Sequence, residues 1–152
     1  MRHGQRKSLE NRIDMLIETA HSVDDVQVQS EIAKYICVLS FGFIEISLRD
    51  IICQYCSVRA QPPIVEFVDQ KVLRDMSLRQ ERIWEMIGSL DQEKREYLEK
   101  NIDDKLKDDV QSIVNNRHQI AHGENPGLSL DRMKRYHKGA CEFISQVAKD
   151  FR

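Results

Sequence analysis

The feature that most constrains this chain is the run from about Val26 to Val58, where apolar residues recur with no proline or charge cluster to end a helix. Tyr35, Ile36, Val38, Leu39, Phe41, Phe43, Ile44, Ile46, Leu48, Ile51 and Ile52 would surround most of such a helix. A helix apolar on most sides has to be enclosed by other elements, which places it at the centre of a helical bundle. Asp24 and Asp25 put negative charge at its N-terminal end, where the helix dipole favours it. Glu45 is out of place among Val38, Phe41, Leu48 and Ile52, and a carboxylate there needs a partner. Arg49, one turn on, is the local choice, and Arg117 is the distant one.

The other segments read as helices packed around that one. A helix from Ser8, as N-cap, to His21 carries Leu9, Ile13, Leu16, Ile17 and Ala20 on one face, after a loose basic segment 1–7. Lone His21 suits the negative end of that helix dipole. Pro62-Pro63 break the chain, and Ile64 to Leu73 form a short amphipathic helix. Ser77 with Gln80 reads as a capping box for a helix bearing Ile83, Trp84, Met86 and Ile87. Asp91 opens a charged, solvent-facing stretch to Lys107, and another helix starts near Asp103 or Asp104. Ser129 caps a last helix whose apolar side is Met133, Tyr136, Ala140, Phe143, Ile144 and Val147. The expectation is one all-α domain over residues 1–152, a bundle of about five to seven helices around a long second one.

Composition excludes several classes. Apolar residues at 41% and charged residues at 32% fit a globular helical chain and not a disordered one. A net charge of −2 gives no global pull on nucleic acid, so RNA affinity would need a local basic patch. No signal-peptide pattern and no apolar run of membrane-spanning length is present, so a cytoplasmic location without membrane association is expected. Cys37, Cys53, Cys56 and Cys141 are expected as core thiols; Cys53 and Cys56 have zinc-like spacing but no second ligand pair accompanies them.

The stretch Asn115-Asn116-Arg117-His118-Gln119-Ile120-Ala121-His122-Gly123 stands out. Leu106, Val110, Ile113 and Val114 define an apolar helix face that Ile120 and Ala121 continue, and Arg117 falls within it. A guanidinium on an apolar stripe is costly unless paired or lining a site. His118 and His122, four apart, share a side of the helix, with Gln111 and Asn115 along the same polar flank. Gly123 stops the helix and Pro126 follows. The opening turns of the last helix add Arg132, Lys134, Arg135, His137 and Lys138, the one dense basic cluster in the chain.

Arg117-His118-Gln119-Ile120-Ala121-His122-Gly123, at the end of the penultimate long helix, resembles the signature of HEPN domains. The resemblance implies an α-helical domain that forms a homodimer through its motif helices and, in active members, a metal-independent endoribonuclease needing no cofactor. It implies Arg117 for phosphate and transition-state binding, His122 for proton transfer, and His118 for substrate positioning or the second proton. Asn115, Arg132, Lys134 and Arg135 are candidate RNA contacts, and Glu45 is a supporting residue that would orient Arg117. Histidine suits proton steps near neutral pH, and the arginine fork suits a phosphate gaining charge.

A toxin–antitoxin or defence setting, with an antitoxin or regulatory partner, is a further implication of the resemblance. In one group of such toxins a partner modifies a tyrosine two residues after the motif histidine; here Glu124 stands there. Two other readings remain. One is a metal site on the His118–His122 pair, which lacks an evident third ligand. The other is a non-catalytic HEPN-like interaction or regulatory module.

Overall fold

In a computed structural model, which describes residues 2–74 and 78–152, the chain is all α-helix, with no strand among the described residues. Helices α1 (Arg2–His21), α2 (Val26–Ser57), α6 (Asp104–Ala121) and α7 (Leu130–Asp150) pack together as the main bundle. Between α2 and α6 run α3 (Pro62–Phe67), continued by a π-helical turn over Val68–Leu73, then α4 (Gln80–Leu90) and α5 (Gln92–Asn101).

Several boundaries follow from local chemistry. Asp25 caps α2 by accepting from the Gln27 and Val28 amides at 2.9 and 3.2 Å. Asp91 caps α5, Asp103 caps α6 and Ser129 caps α7, each through its side chain. The last turn of α6 closes with Gly123 at φ 75°, a left-handed conformation that a side chain would strain. Proline at the first turn of α3 needs no amide partner there.

Other boundaries correct the sequence expectations. The first helix starts at Arg2, and Ser8 lies inside it, between Lys7 and Glu10, which pair at 3.3 Å. The capping box fails on its visible half, since α4 is capped by Arg79 without a side-chain bond, while Gln80 donates to the Lys107 carbonyl at 2.7 Å. Ser77, like Met1, lies outside the described residues. The expected helix Ile64–Leu73 splits where the chain widens into the π-helical turn, which brings Asp69 and Leu73 into buried positions. The charged stretch from Asp91 is also broken: Ile102 turns inward, 3% exposed, between α5 and α6.

The core is built from Ile13, Ile36, Ile44, Leu48, Ile113, Met133 and Phe143, all essentially without solvent contact. Burial of this kind contributes about 1.5–3 kcal/mol for each large aliphatic side chain. Trp84 meets Phe143 edge to face at 5.9 Å, docking α4 onto α7, and Tyr55 stacks on Phe151 at 4.3 Å. Enclosure of α2 is less complete than its sequence implies. Tyr35 and Val38 are 45% and 41% exposed, so one side of α2 is left uncovered. Cys37, Cys53 and Cys56 are buried and Cys141 is half-buried, and no disulfide joins cysteines among the described residues. Burial pushes the Cys37 and Cys141 thiols up to about 12, which keeps them protonated and unreactive. Among the described residues no helix is long and apolar enough to cross a membrane.

Candidate active site

Arg117 lies within the apolar stripe of α6, one turn past Ile113 and Val114, half-buried, with its Cζ 4.7 Å from the centroid of the Phe41 ring on α2. A guanidinium over an aromatic face keeps its charge while losing part of its hydration. That contact answers the question of why an arginine is tolerated there. Ile120 is half-buried beside it, but Ala121 is exposed and does not extend the apolar face, because the bundle ends before that last turn.

Around Arg117 opens a cleft of about 750 Å³, walled by Phe41 and Glu45 from α2, by Leu78 to Glu81 at the start of α4, and by Gln111, Val114, Asn115, His118 and Gln119 from α6. His118 and His122 are both exposed, with rings edge to face at 4.4 Å. His118 is part of the cleft wall, and His122 stands one turn further on, at the C-cap of the helix. Gln111 Nε2 donates to Asn115 Oδ1 at 2.8 Å, tying two amides of the same wall together.

Glu45 reaches the cleft half-buried, and no ion pair within 4.0 Å joins it to any charged group among the described residues. Burial pushes its carboxyl above the usual range, and the nearby Arg117 charge offsets only part of that rise. The local candidate is excluded: Arg49 turns away to Asp69, Nε to Oδ1 at 2.5 Å, across to the π-helical turn. Arg117 is thus the charge that acts on Glu45, through space and not by direct contact.

The basic cluster of α7 is looser than its sequence suggests. Arg132, Lys134, Arg135 and Lys138 are exposed on α7 and form no part of the cleft wall. His137 does not belong to that surface at all. It is 3% exposed, with Nδ1 3.0 Å from Ser40 Oγ and Nε2 3.4 Å from Cys141 Sγ, under the edge of Phe43. Helical periodicity places it on the same face as Met133 and Ala140, a signal that its basic neighbours obscured. Burial lowers its pKa, opposed by Asp14, 3.6 Å from Nε2, and by Glu10.

Two parts of the site were missed in the sequence. Phe41, four residues before Glu45, is the platform under Arg117, and its position one turn from an isolated carboxylate was the available hint. The Arg79 to Glu81 lip carried no signal, since only tertiary packing brings it opposite α6. A metal would need more than the two histidines offer; no third ligand-type side chain is grouped with them among the described residues.

An arginine held on an aromatic ring, two imidazoles at the same helix end and an amide-lined cleft define the class: an all-α domain with an Arg-x4-His site on its penultimate helix. Residues 5–152 match the RiboL-PSP-HEPN family, and the chain belongs to it. Comparison with curated proteins and with solved structures returns no match.

Proposed function

We propose that this HEPN domain is a metal-independent endoribonuclease that cuts RNA by internal transesterification. The observation that carries the reading is the convergence of Arg117, His118 and His122 at one end of α6, beside an open cleft. Membership of a family whose members are typically ribonucleases supports it.

In this chemistry the ribose 2′-oxygen forms a new bond to phosphorus while the bond to the 5′-oxygen breaks, leaving a 2′,3′-cyclic phosphate. One imidazole takes the 2′-hydroxyl proton, and a second, protonated, gives a proton to the departing 5′-oxygen. His122 is assigned to proton transfer and His118 to the second proton or to substrate positioning. The Arg117 fork binds the phosphate oxygens as charge builds on them, and preorganised donors of that kind contribute about 10²–10³-fold. Phe41 below and the Glu45 charge behind hold the guanidinium ready, so little is lost in orienting it.

The site is read as one half of a composite. Phe41 and Glu45 lie on the same helical stripe of α2 as exposed Val38, so uncovered apolar surface borders the cleft. A second copy placing its own motif helix there would cover that surface and bring two sets of Arg117 and histidines together. RNA is the substrate. Arg132, Lys134 and Arg135, with Asn115 in the wall, are the proposed backbone and substrate contacts, and a toxin–antitoxin or defence role with a protein regulator is the proposed setting.

The deciding experiment is cleavage of a mixed RNA in EDTA by the wild-type protein and by His122→Ala at the same dimer fraction. Cyclic phosphate ends from the wild type, lost in the variant, establish the reading. Absence of cleavage by both across several RNAs overturns it in favour of a non-catalytic interaction module.

A further inference from the structure

The amide pair Gln111–Asn115 is not explained by the chemistry of the motif. Gln111, Asn115, His118 and His122 are spaced four, three and four residues apart, which sets them along a single stripe of α6. At 1.5 Å per residue the stripe is roughly 16 Å long. The two amides therefore lie in line with the histidines and upstream of them, in the same cleft wall as His118.

Their bond fixes what they can offer. With Gln111 Nε2 donating to Asn115 Oδ1, the Gln111 carbonyl oxygen and the Asn115 NH2 group have no other side-chain partner among the described residues. Reversing both amides leaves the same complement, one unpaired NH2 group and one unpaired carbonyl oxygen, because each amide carries one group of each kind. Nothing in the core needs this pair, since Asn115 is exposed and Gln111 half-buried.

We infer that the Gln111–Asn115 pair is a base-reading element: it selects an unpaired nucleobase next to the cleaved linkage by a Hoogsteen edge with one donor and one acceptor. This rests on the ribonuclease reading above. Unpaired RNA bases splay out and are read on their exposed edges. Adenine, with its N6 amino group beside N7, fits a donor–acceptor amide surface, as it does when amide side chains read it elsewhere. On that same Hoogsteen edge guanine offers N7 and O6, two acceptors, and leaves the Gln111 oxygen facing another oxygen.

The test uses short oligodeoxynucleotides containing a single ribonucleotide, so that only one linkage is cleavable. The ribonucleotide and its 3′ neighbour are varied in turn among the four bases, and kcat/KM is measured for each. At one of the two positions, the wild-type protein is expected to favour adenine over guanine by about 5- to 150-fold, the span of one good bidentate base contact. Gln111→Ala with Asn115→Ala is expected to flatten that ratio to near one, with thermal unfolding confirming that the double variant is folded. Equal rates for all bases, or a preference that survives in a folded double variant, overturns the inference and leaves the nuclease reading intact. Failure to cut any of these oligonucleotides or mixed RNA overturns the nuclease reading, and this one with it.

Discussion

The Arg117 guanidinium lies 4.7 Å from the centroid of Phe41, so helix α6 delivers its motif arginine onto an aromatic ring of the central helix. The contact joins the two elements that build the cleft, and it fixes a flexible side chain without cancelling its charge. An ion pair in the same place would hold the arginine as well, but would neutralise the charge that a phosphate needs.

Arg117→Ala is therefore expected to remove most cleavage, by on the order of 10²–10³-fold, while leaving a folded protein. Arg117→Lys should fail nearly as badly, because an ammonium lacks the planar fork. Kinetics alongside thermal melts check both. A loss of folding in Arg117→Ala would show that the residue is structural.

Glu45 acts on Arg117 through space, so Glu45→Gln should lower kcat more than it raises KM. The two proteins should also differ in pH profile. Burial raises the Glu45 carboxyl, and its negative charge, proposed to orient Arg117, is lost as the pH falls through that raised value. Wild-type activity should accordingly drop on mild acidification by a component that Glu45→Gln lacks. Identical kinetics and identical profiles would remove Glu45 from the site.

Gly139 on α7 is covered by Asp109 of α6, and a Cβ built there would come within 2.7 Å of the Asp109 Cβ. Gly139→Ala should therefore force α6 and α7 apart and cost about 1–3 kcal/mol, the usual range for overpacking. Denaturant unfolding measures this directly, and wild-type stability in the variant would mean that Asp109 can move aside.

Two buried groups give opposite responses to acid. His137 is held below its ordinary value of 6.5 by burial, so as pH falls below 6.5 the unfolded chain binds a proton that the folded protein resists. Stability should fall with acidification there, and less steeply in His137→Gln. Asp109 is raised above its ordinary 3.8 by burial, partly offset by Lys105 and Arg135, and its Oδ2 has no hydrogen-bond partner. Its cost is full above the raised value and vanishes below 3.8. Asp109→Asn should thus stabilise the protein at neutral pH, because it removes the buried charge. That gain should disappear in acid. Urea midpoints across pH 3.5 to 8 test both signs.

What the sequence determined on its own was whatever a few neighbouring residues decide. Asp25, Asp91, Asp103 and Ser129 start their helices because each side chain reaches amides two or three residues ahead. Gly123 ends α6 because only glycine takes φ 75° without strain. The apolar periodicity gave the buried faces of α1, α4 and α7, and the spacing of His118 and His122 gave their ring contact.

Tertiary structure alone decided the pairings. Arg49 goes to Asp69 and not to Glu45, His137 goes inward to Ser40, Phe41 comes under Arg117, and the Arg79 lip faces Gln111 and Asn115. Each joins residues from different helices, and helical periodicity fixes only the direction a side chain leaves its own axis. Which group it meets depends on how the helices cross and where the chain turns between them, and that is set by the packing of the whole core.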